Sequence, residues 1–258
     1  MTRTVLITRP LTATARLDAM LRGCGYRTLI EPMLTIVPTE SARPEVPSID
    51  AVMLTSANAC TALEAQHANT RDLLTKPCFC VGPHTASAAE ALGFRHIISG
   101  EGSGADLARL ILTQHFSDKT EPQGWSIRSA HAGRILHICG EDIAPAAHDE
   151  LRTAGYAVTV WPVYRAEPAT AFSPVLLEYL GRGLLDAALF FSPRTAAVFV
   201  DLAARHELQA CCGGLTAIGL SEAVIAAARP IAWRQLAAAE TPTEDAVVAC
   251  LQRTCPVS

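Results

Sequence analysis

Short apolar runs alternate with amphipathic, alanine-rich stretches along most of the 258-residue chain. Runs of four to eight apolar residues bounded by turn residues predict buried strands, and the periodic stretches that follow predict helices. Thr4–Thr8, Arg27–Ile30, His96–Ser99, Ala157–Trp161 and Ile231–Arg234 are examples of predicted strands. Repeated strand–helix units with short loops favour an α/β fold with parallel sheets and helices on both faces.

The pattern occurs twice. Asp50–Ala59 and Asp186–Ala196 each open with an acidic residue, continue through an apolar run and a small polar turn, and enter a helical pattern. Further matches between the halves are Leu21, Gly25, Tyr26 and Pro32 with Leu151, Gly155, Tyr156 and Pro162, and Gly82 with Gly219. We interpret these matches as a duplication that builds two similar three-layer α/β domains.

The halves are not expected to be contiguous domains. The Pro-rich stretch Pro38–Ser48 and the segment Val163–Pro168 lie at matching points, each just after the second strand of its half. A chain that crosses at both points forms one domain from residues 1–36 plus 167–258 and an inserted domain from residues 37–166. The two crossings then form a double-stranded hinge. Ser117–Ala132 is polar and is predicted to be a surface loop.

Composition narrows the function. The net charge of −4 and the absence of a block of basic residues argue against nucleic-acid binding. The nine cysteines lack zinc-site spacing and are expected to be buried, reduced thiols of a cytoplasmic protein. No apolar run approaches about 20 residues and no signal peptide is visible, so neither a membrane span nor secretion is expected. A monomer is expected because no coiled-coil pattern is evident.

Ligands of open α/β sheets bind beyond the carboxyl ends of the strands. Several turns at such positions carry Ser, Thr or Gly where a helix begins, and backbone N–H groups there bind anions without formal charge. The same hydroxyls also suit ordinary helix capping, so both interpretations stay open. The candidate ligand-binding residues are Arg9, Thr55, Ser56, Asn58, Thr85, Ser103, Gly104, Ser192, Pro193, Arg194 and Ser221.

The order and spacing of several short motifs resemble uroporphyrinogen-III synthase over nearly the whole chain. These motifs are ITRP (Ile7–Pro10), LTSANA (Leu54–Ala59), CVGPHTASAAEALGF (Cys80–Phe94), GSGADLARLI (Gly102–Ile111), GYAVTVWPVYR (Gly155–Arg165), FFSPRTA (Phe190–Ala196) and AIGLSEA (Ala217–Ala223). The resemblance implies a hinged cleft between two α/β domains, in which hydroxymethylbilane loses water and closes with ring D inverted. It implies no metal or organic cofactor. We also expect a transient contact with the enzyme that supplies this substrate.

Tyr164 is the candidate catalytic acid, because it matches the tyrosine of the family's crossing segment; the alternative is a hinge tyrosine packed on Trp161 or Pro162. The alignment of the halves places Glu222 opposite Thr85, where relatives often carry a hydroxyl, so Ser221 is expected to replace that contact. His84 lies in a candidate ligand loop, and a solvated turn histidine explains it equally well.

Two other functions are open to the sequence. The run Gly100–Gly104 (GEGSG) follows a strand and opens a helix, as nucleotide-binding loops do, but its third glycine falls one position early. A non-catalytic binding module with two lobes is the other alternative, because a fold does not fix a function. Formation of the III isomer from hydroxymethylbilane separates an enzyme from such a module.

Overall fold

A computed structural model describes residues 2–46, 48–65, 70–115, 133–143 and 146–257. The chain divides into two compact units. Unit 1 comprises Met1–Thr35 and Glu167–Ser258, and unit 2 comprises Ile36–Ala166. The predicted loop Ser117–Ala132 lies outside the described residues.

The strands, in chain order, are β1 (Thr4–Ile7), β2 (Arg27–Ile30), β3 (Leu34–Pro38), β4 (Ala51–Leu54), β5 (Pro77–Cys80), β6 (His96–Ser99), β7 (Arg134–Gly140), β8 (Ala157–Pro168), β9 (Ala187–Phe190), β10 (Thr216–Gly219) and β11 (Gln235–Ala238). The α-helices are α1 (Ala15–Gly23), α2 (Ala57–Ala65), α3 (Pro83–Leu92), α4 (Gly104–His115), α5 (Ala146–Thr153), α6 (Pro174–Gly181), α7 (Pro193–Arg205), α8 (Glu222–Ala228) and α9 (Glu244–Thr254).

Unit 1 is built on a five-stranded sheet in the order β11-β10-β9-β1-β2, and each of its strand pairs is parallel. Strands β1 and β9 are buried along their whole length because both of their faces are covered, and only Thr4 among their residues is polar. Leu6 and Phe190 pack with helices α6, α7 and α8 on one face, and Val5 and Leu189 pack with α1 and α9 on the other. The unit therefore has three layers, as the sequence predicts.

Unit 2 is built on a six-stranded sheet in the order β3-β8-β7-β4-β5-β6, with parallel pairing from β8 to β6. Val52 and Leu54 pack with helices α2 and α3 on one face, while Met53 and Phe79 pack with α4 and α5 on the other. This unit also has three layers. The prediction of two similar α/β units with parallel sheets is confirmed.

The duplication is visible in equivalent hydrogen bonds. The Asp186 carboxylate accepts the backbone N–H of Thr4 at 2.8 Å, and the Asp50 carboxylate accepts that of Arg134 at 2.8 Å. In each unit the backbone N–H of the aspartate also donates back, to the carbonyl of the same residue, at 2.9 Å. The two acidic residues that open the repeated motif thus join the first residue of one strand to the start of its neighbour.

The strand register corrects one part of the alignment predicted between the halves. Cys80 pairs with Leu54 in unit 2, and Gly219 pairs with Phe190 in unit 1. Since Leu54 and Phe190 are equivalent, Gly219 corresponds to Cys80 and not to Gly82. The prediction that aligned Gly82 with Gly219 is therefore wrong by two residues, because it followed the identity of a glycine rather than the hydrogen-bonded ladder.

A second consequence concerns Glu222. In the corrected register, Glu222 corresponds to Pro83, the first residue of α3, and Ser221 corresponds to Gly82. The expectation that Glu222 stands opposite Thr85 is therefore wrong. The hydroxyl of Ser221 lies at the N-cap of α8 in its own right, so no substitution for a missing threonine needs to be invoked.

Two further elements differ from the sequence-based expectation. A strand was expected at Ile231–Arg234, but the structure places β11 at Gln235–Ala238. Strand β8 extends far beyond the expected Ala157–Trp161 and reaches Pro168, because its later residues pair with β3. Thr39 N–H donates to the Val163 carbonyl at 3.0 Å in this pairing.

Candidate functional site

Each sheet contains one point at which the strand order reverses. In unit 2 this point lies between β4 and β7, since the chain continues from β4 to β5 on one side and from β7 to β8 on the other. In unit 1 it lies between β9 and β1. Crevices beyond the carboxyl ends of the strands at such switch points are the usual ligand sites of open α/β sheets.

Tyr164 lies beside the switch point of unit 2. The backbone of Tyr164 pairs with that of Gly140 at the end of β7, after a bulge at Cys139. Its side chain is half-buried against the core that contains Trp161. Burial is the main cause that raises the pKa of the Tyr164 phenol, and hydrogen bonds from Ser56 and Asn58 oppose the rise. The phenol is thus protonated at neutral pH and joined to the β4–α2 turn.

Gly140 provides the space that the Tyr164 ring occupies. A Cβ atom at Gly140 would lie 2.8 Å from Cε2 and Cζ of Tyr164 and 3.1 Å from its hydroxyl. The backbone is fixed beside it, because Glu141 N–H donates to the Tyr164 carbonyl at 2.9 Å. Sequence reasoning did not single out Gly140, since only the strand pairing brings it under the tyrosine.

Thr55 directly follows β4 and begins a largely buried polar chain. Its Oγ1 lies 2.9 Å from Nε2 of His137, and Nδ1 of His137 lies 2.7 Å from Nε2 of His148. Burial lowers the pKa of His137 to about 3, with a smaller effect from His148. Both histidines lacked a shared spacing in the sequence and were not predicted as partners.

The remaining candidates of unit 2 lie at two adjacent turns. Thr85 is in the first turn of α3, and its side chain is buried. Ser103 accepts the Asp106 backbone N–H at 3.1 Å and also donates to the Asp106 carboxylate, so it acts as a helix cap. Gly104 begins α4. Capping accounts for the contacts of Ser103, and substrate binding by these three residues stays a prediction.

The candidates of unit 1 follow β9 and β10. Ser192 forms a capping box with Thr195, in which its Oγ accepts the Thr195 N–H at 3.1 Å. Pro193 and Arg194 follow at the exposed start of α7. Ser221 is the N-cap residue of α8, and its side chain makes no capping hydrogen bond. Because β9 and β10 are parallel neighbours, these turns lie along one edge of the sheet.

Arg9 follows β1 at the switch point of unit 1. Its guanidinium pairs with the carboxylate of Glu244 at the start of α9 and lies over the ring of Phe191, 4.5 Å from the ring centroid. Its side chain is only 16% exposed. An anionic ligand would have to share Arg9 with Glu244, a contact that the sequence did not reveal.

Metal ligation finds no support in the described part of the chain, where no group of three or more His, Cys, Asp or Glu side chains is placed to hold a metal ion. Among the helices described, none is long and apolar enough to cross a membrane. The candidate residues at the two strand edges supply hydroxyls, amides, helix N-termini, the guanidinium groups of Arg9 and Arg194, and the Tyr164 phenol.

Comparisons with known proteins bear on this geometry. The model of the family described as uroporphyrinogen-III synthase HemD matches residues 15–249. The solved uroporphyrinogen-III synthetase from Helicobacter pylori is 15% identical, with a TM-score of 0.60 over 96% of this chain and 97% of that one. A mutant uroporphyrinogen III synthase from the thermophilic bacterium Thermus thermophilus is 16% identical, with a TM-score of 0.54 over 98% of each chain. A comparison with curated proteins gave no significant match.

Two three-layer units, each with one reversal of strand order in its sheet, define the protein as a duplicated, two-domain α/β protein of the kind seen in these structures. The extent of the family match settles the particular family. The chain belongs to the uroporphyrinogen-III synthase family. It is an enzyme, a lyase of tetrapyrrole biosynthesis that closes hydroxymethylbilane to uroporphyrinogen III with inversion of ring D and loss of water.

Proposed function

We propose that the carboxyl ends of both sheets bind the carboxylates of hydroxymethylbilane and that Tyr164 donates a proton to the departing hydroxyl. The observation that carries this proposal is the position of Tyr164, which pairs with Gly140 at the end of β7, beside the switch point of unit 2, with its ring against Gly140. The units correspond in this proposal to domains 1–36 plus 167–258 and 37–166.

The electrostatics of the proposed acid are favourable. Burial raises the pKa of the Tyr164 phenol, so the phenol carries its proton at neutral pH. When the proton leaves, a phenolate forms, and the hydrogen bonds from Ser56 and Asn58 stabilise it. A phenol with these supports is a modest donor, which suits a reaction in which the main task is to hold the chain ends of the substrate.

Binding of a polyacid by a protein of net charge −4 needs donors without formal charge. Helix N-termini supply such donors, since their first backbone N–H groups lack partners within the helix. In unit 2, α2 begins next to Ser56 and Asn58, and in unit 1, α7 begins at Pro193 after Ser192. We propose that Arg9, Thr55, Thr85, Ser103, Gly104, Arg194 and Ser221 contribute further contacts.

The test uses purified protein, hydroxymethylbilane and separation of the product isomers. Unassisted closure leaves ring D uninverted and gives the I isomer, whereas the enzyme gives the III isomer. We expect Tyr164→Phe to lower kcat by about tenfold to a hundredfold. This is at or below the lower limit of the usual effect of a general acid, about a hundredfold, because a phenol is a modest donor. The variant should melt like the wild type, because the ring and its packing remain. A wild-type kcat in Tyr164→Phe would remove the phenol from the mechanism.

The proposal also covers the cellular location and the oligomeric state of the protein. All nine cysteines are free thiols, which supports a reducing, cytoplasmic location. We propose that the protein acts as a monomer and meets the enzyme that supplies hydroxymethylbilane only transiently. Sedimentation of the purified protein at micromolar concentration tests the first statement, and a stable dimer would contradict it.

A further inference from the structure

Two buried histidines connect the proposed site to helix α5 in unit 2. His137 lies in the middle of β7 and is 1% exposed, and His148 lies on α5 and is 4% exposed. Their rings meet edge to face at 82°, with centroids 4.8 Å apart. Together with Thr55 they form the His148–His137–Thr55 chain, whose two hydrogen-bond distances are 2.7 and 2.9 Å.

The fold does not need this polar chain. The strand register makes Ile7 the equivalent of His137 in unit 1, and Phe191 the equivalent of Thr55. Unit 1 thus completes the same sheet with apolar side chains at both positions. A buried imidazole costs free energy unless both of its nitrogens find partners. The three polar residues of unit 2 therefore call for an explanation beyond packing.

Because neutral His137 has one donor and one acceptor nitrogen, the two hydrogen bonds of the His148–His137–Thr55 chain must run in the same direction. His137 is neutral, so one of its nitrogens carries a proton and the other accepts. In one state Thr55 donates to Nε2 of His137, and Nδ1–H of His137 donates to His148. In the other state His148 Nε2–H donates to Nδ1 of His137, and Nε2–H of His137 donates to Thr55. Only the second state leaves the Thr55 hydroxyl proton available to the site.

We propose that His148 and His137 are positioning residues that fix the Thr55 hydroxyl as a hydrogen-bond donor toward a carboxylate of the substrate. The inference rests on the proposed function, in which the end of β4 binds substrate. A carboxylate only accepts hydrogen bonds, so a threonine in the first state would turn its lone pairs toward a negative charge. The second state removes this repulsion without adding a cation to the site.

The proton positions are measured directly by NMR. Protein with ¹⁵N-labelled histidine, at neutral pH and without ligand, gives the tautomer of each ring, and His137→Gln and His148→Gln assign the two signals. We expect both rings to carry the proton on Nε2. A proton on Nδ1 of His137 would overturn the proposal. This readout does not depend on turnover, so a wild type that forms no III isomer would contradict the proposed function alone.

Kinetics test whether the chain acts through Thr55. We expect Thr55→Val to raise KM about tenfold with kcat within about twofold, the effect of losing one hydrogen bond to a charged acceptor. His148→Leu should raise KM about fivefold, since the Thr55 hydroxyl loses only its fixed orientation. His148→Gln should rescue most of the loss, because its amide can donate from the place of Nε2. The double variant Thr55→Val/His148→Leu should have the KM of Thr55→Val.

Additive effects of Thr55→Val and His148→Leu on KM would show that His148 acts independently of Thr55. A wild-type KM in His148→Leu would show that the chain does not position the hydroxyl. Equal losses in His148→Leu and His148→Gln would assign His148 a packing role. Thermal melts of the single variants separate these kinetic effects from unfolding.

Discussion

Replacement of Gly140 with alanine moves the Tyr164 ring without removing any polar atom. The added Cβ would lie 2.8 Å from two ring carbons of Tyr164. The strand cannot retreat easily, since Glu141 N–H donates to the Tyr164 carbonyl at 2.9 Å. The end of the side chain must therefore move. Gly140 does not have a positive φ, so alanine introduces no backbone strain and only the space is tested.

The expected magnitude follows from the geometry. A contact of 2.8 Å is about 0.7 Å shorter than the optimal separation of two carbon atoms, near 3.5 Å. Hydrogen bonds weaken beyond about 3.2 Å, so a shift of this size should weaken those of the phenol with Ser56 and Asn58. We expect kcat to fall about tenfold to a hundredfold, as in Tyr164→Phe. Overpacking should cost about 1–3 kcal/mol of folding free energy.

The assay compares product isomers and rates for the wild type, the two single variants, their double variant and one control. Gly23→Ala is the matched control, because Gly23 is exposed at the end of α1 and a Cβ there meets nothing within 4 Å. In a Tyr164→Phe background, Gly140→Ala should lower kcat less than about twofold further, since the phenol is already absent. Full activity in Gly140→Ala, or a further loss of about tenfold in the double variant, would refute the argument that Gly140 acts by placing the phenol.

Three other predictions concern stability. In the unfolded chain the His137 imidazole binds a proton below about pH 6.5, whereas in the folded protein burial prevents this down to about pH 3, so the folding stability falls as the pH drops below about 6.5. The free energy of unfolding in urea should therefore be about 2 kcal/mol lower at about pH 5 than at about pH 7. His137→Gln should abolish this difference, whereas His84→Gln, at an exposed position, should keep it. Asp186→Asn should cost about 1–2 kcal/mol and Asp50→Asn less, since the Asp50 contact is exposed; equal costs in urea unfolding would contradict this. Ser192→Ala should lower stability by about 1 kcal/mol and raise KM, whereas lower stability with unchanged KM would reduce its role to capping.

The duplication was predictable because the two halves need the same residue types at equivalent positions of the backbone. Asp50 and Asp186 each join two strand starts through one backbone–backbone hydrogen bond and one that the aspartate carboxylate accepts from a backbone N–H. Gly25 and Gly155 each take a positive φ, of 87° and 92°, after a helix. Such requirements are local, so they leave a residue type at a fixed place in the sequence and reveal the repeat.

The register of β10 was not predictable in the same way. The segment between Phe190 and β10 is three residues longer than the one between Leu54 and β5, counting from the strand ends. Insertions in connections are tolerated and leave no sign in the strands themselves. A chance glycine at Gly219 then gave a plausible but wrong alignment.

The contact between the buried histidines could not be predicted from the sequence. The only sequence signal for His148 is that it precedes Leu151 by three residues and so shares its buried helix face. His137 sits within an apolar strand, where a single histidine has many explanations. The contact between the two rings depends on how α5 lies across β7, and this follows from tertiary packing rather than from spacing along the chain.

In the proposed function, hydroxyl, amide and phenol donors at the strand ends direct ring closure of the substrate. The most direct measurement is the ratio of III to I isomer that purified wild-type protein and Tyr164→Phe form from hydroxymethylbilane at equal enzyme concentration and time. We predict nearly pure III isomer from the wild type and a large fraction of I isomer from Tyr164→Phe, whose slower turnover lets unassisted closure compete. Equal isomer ratios from the two proteins, at equal rates, would contradict the account.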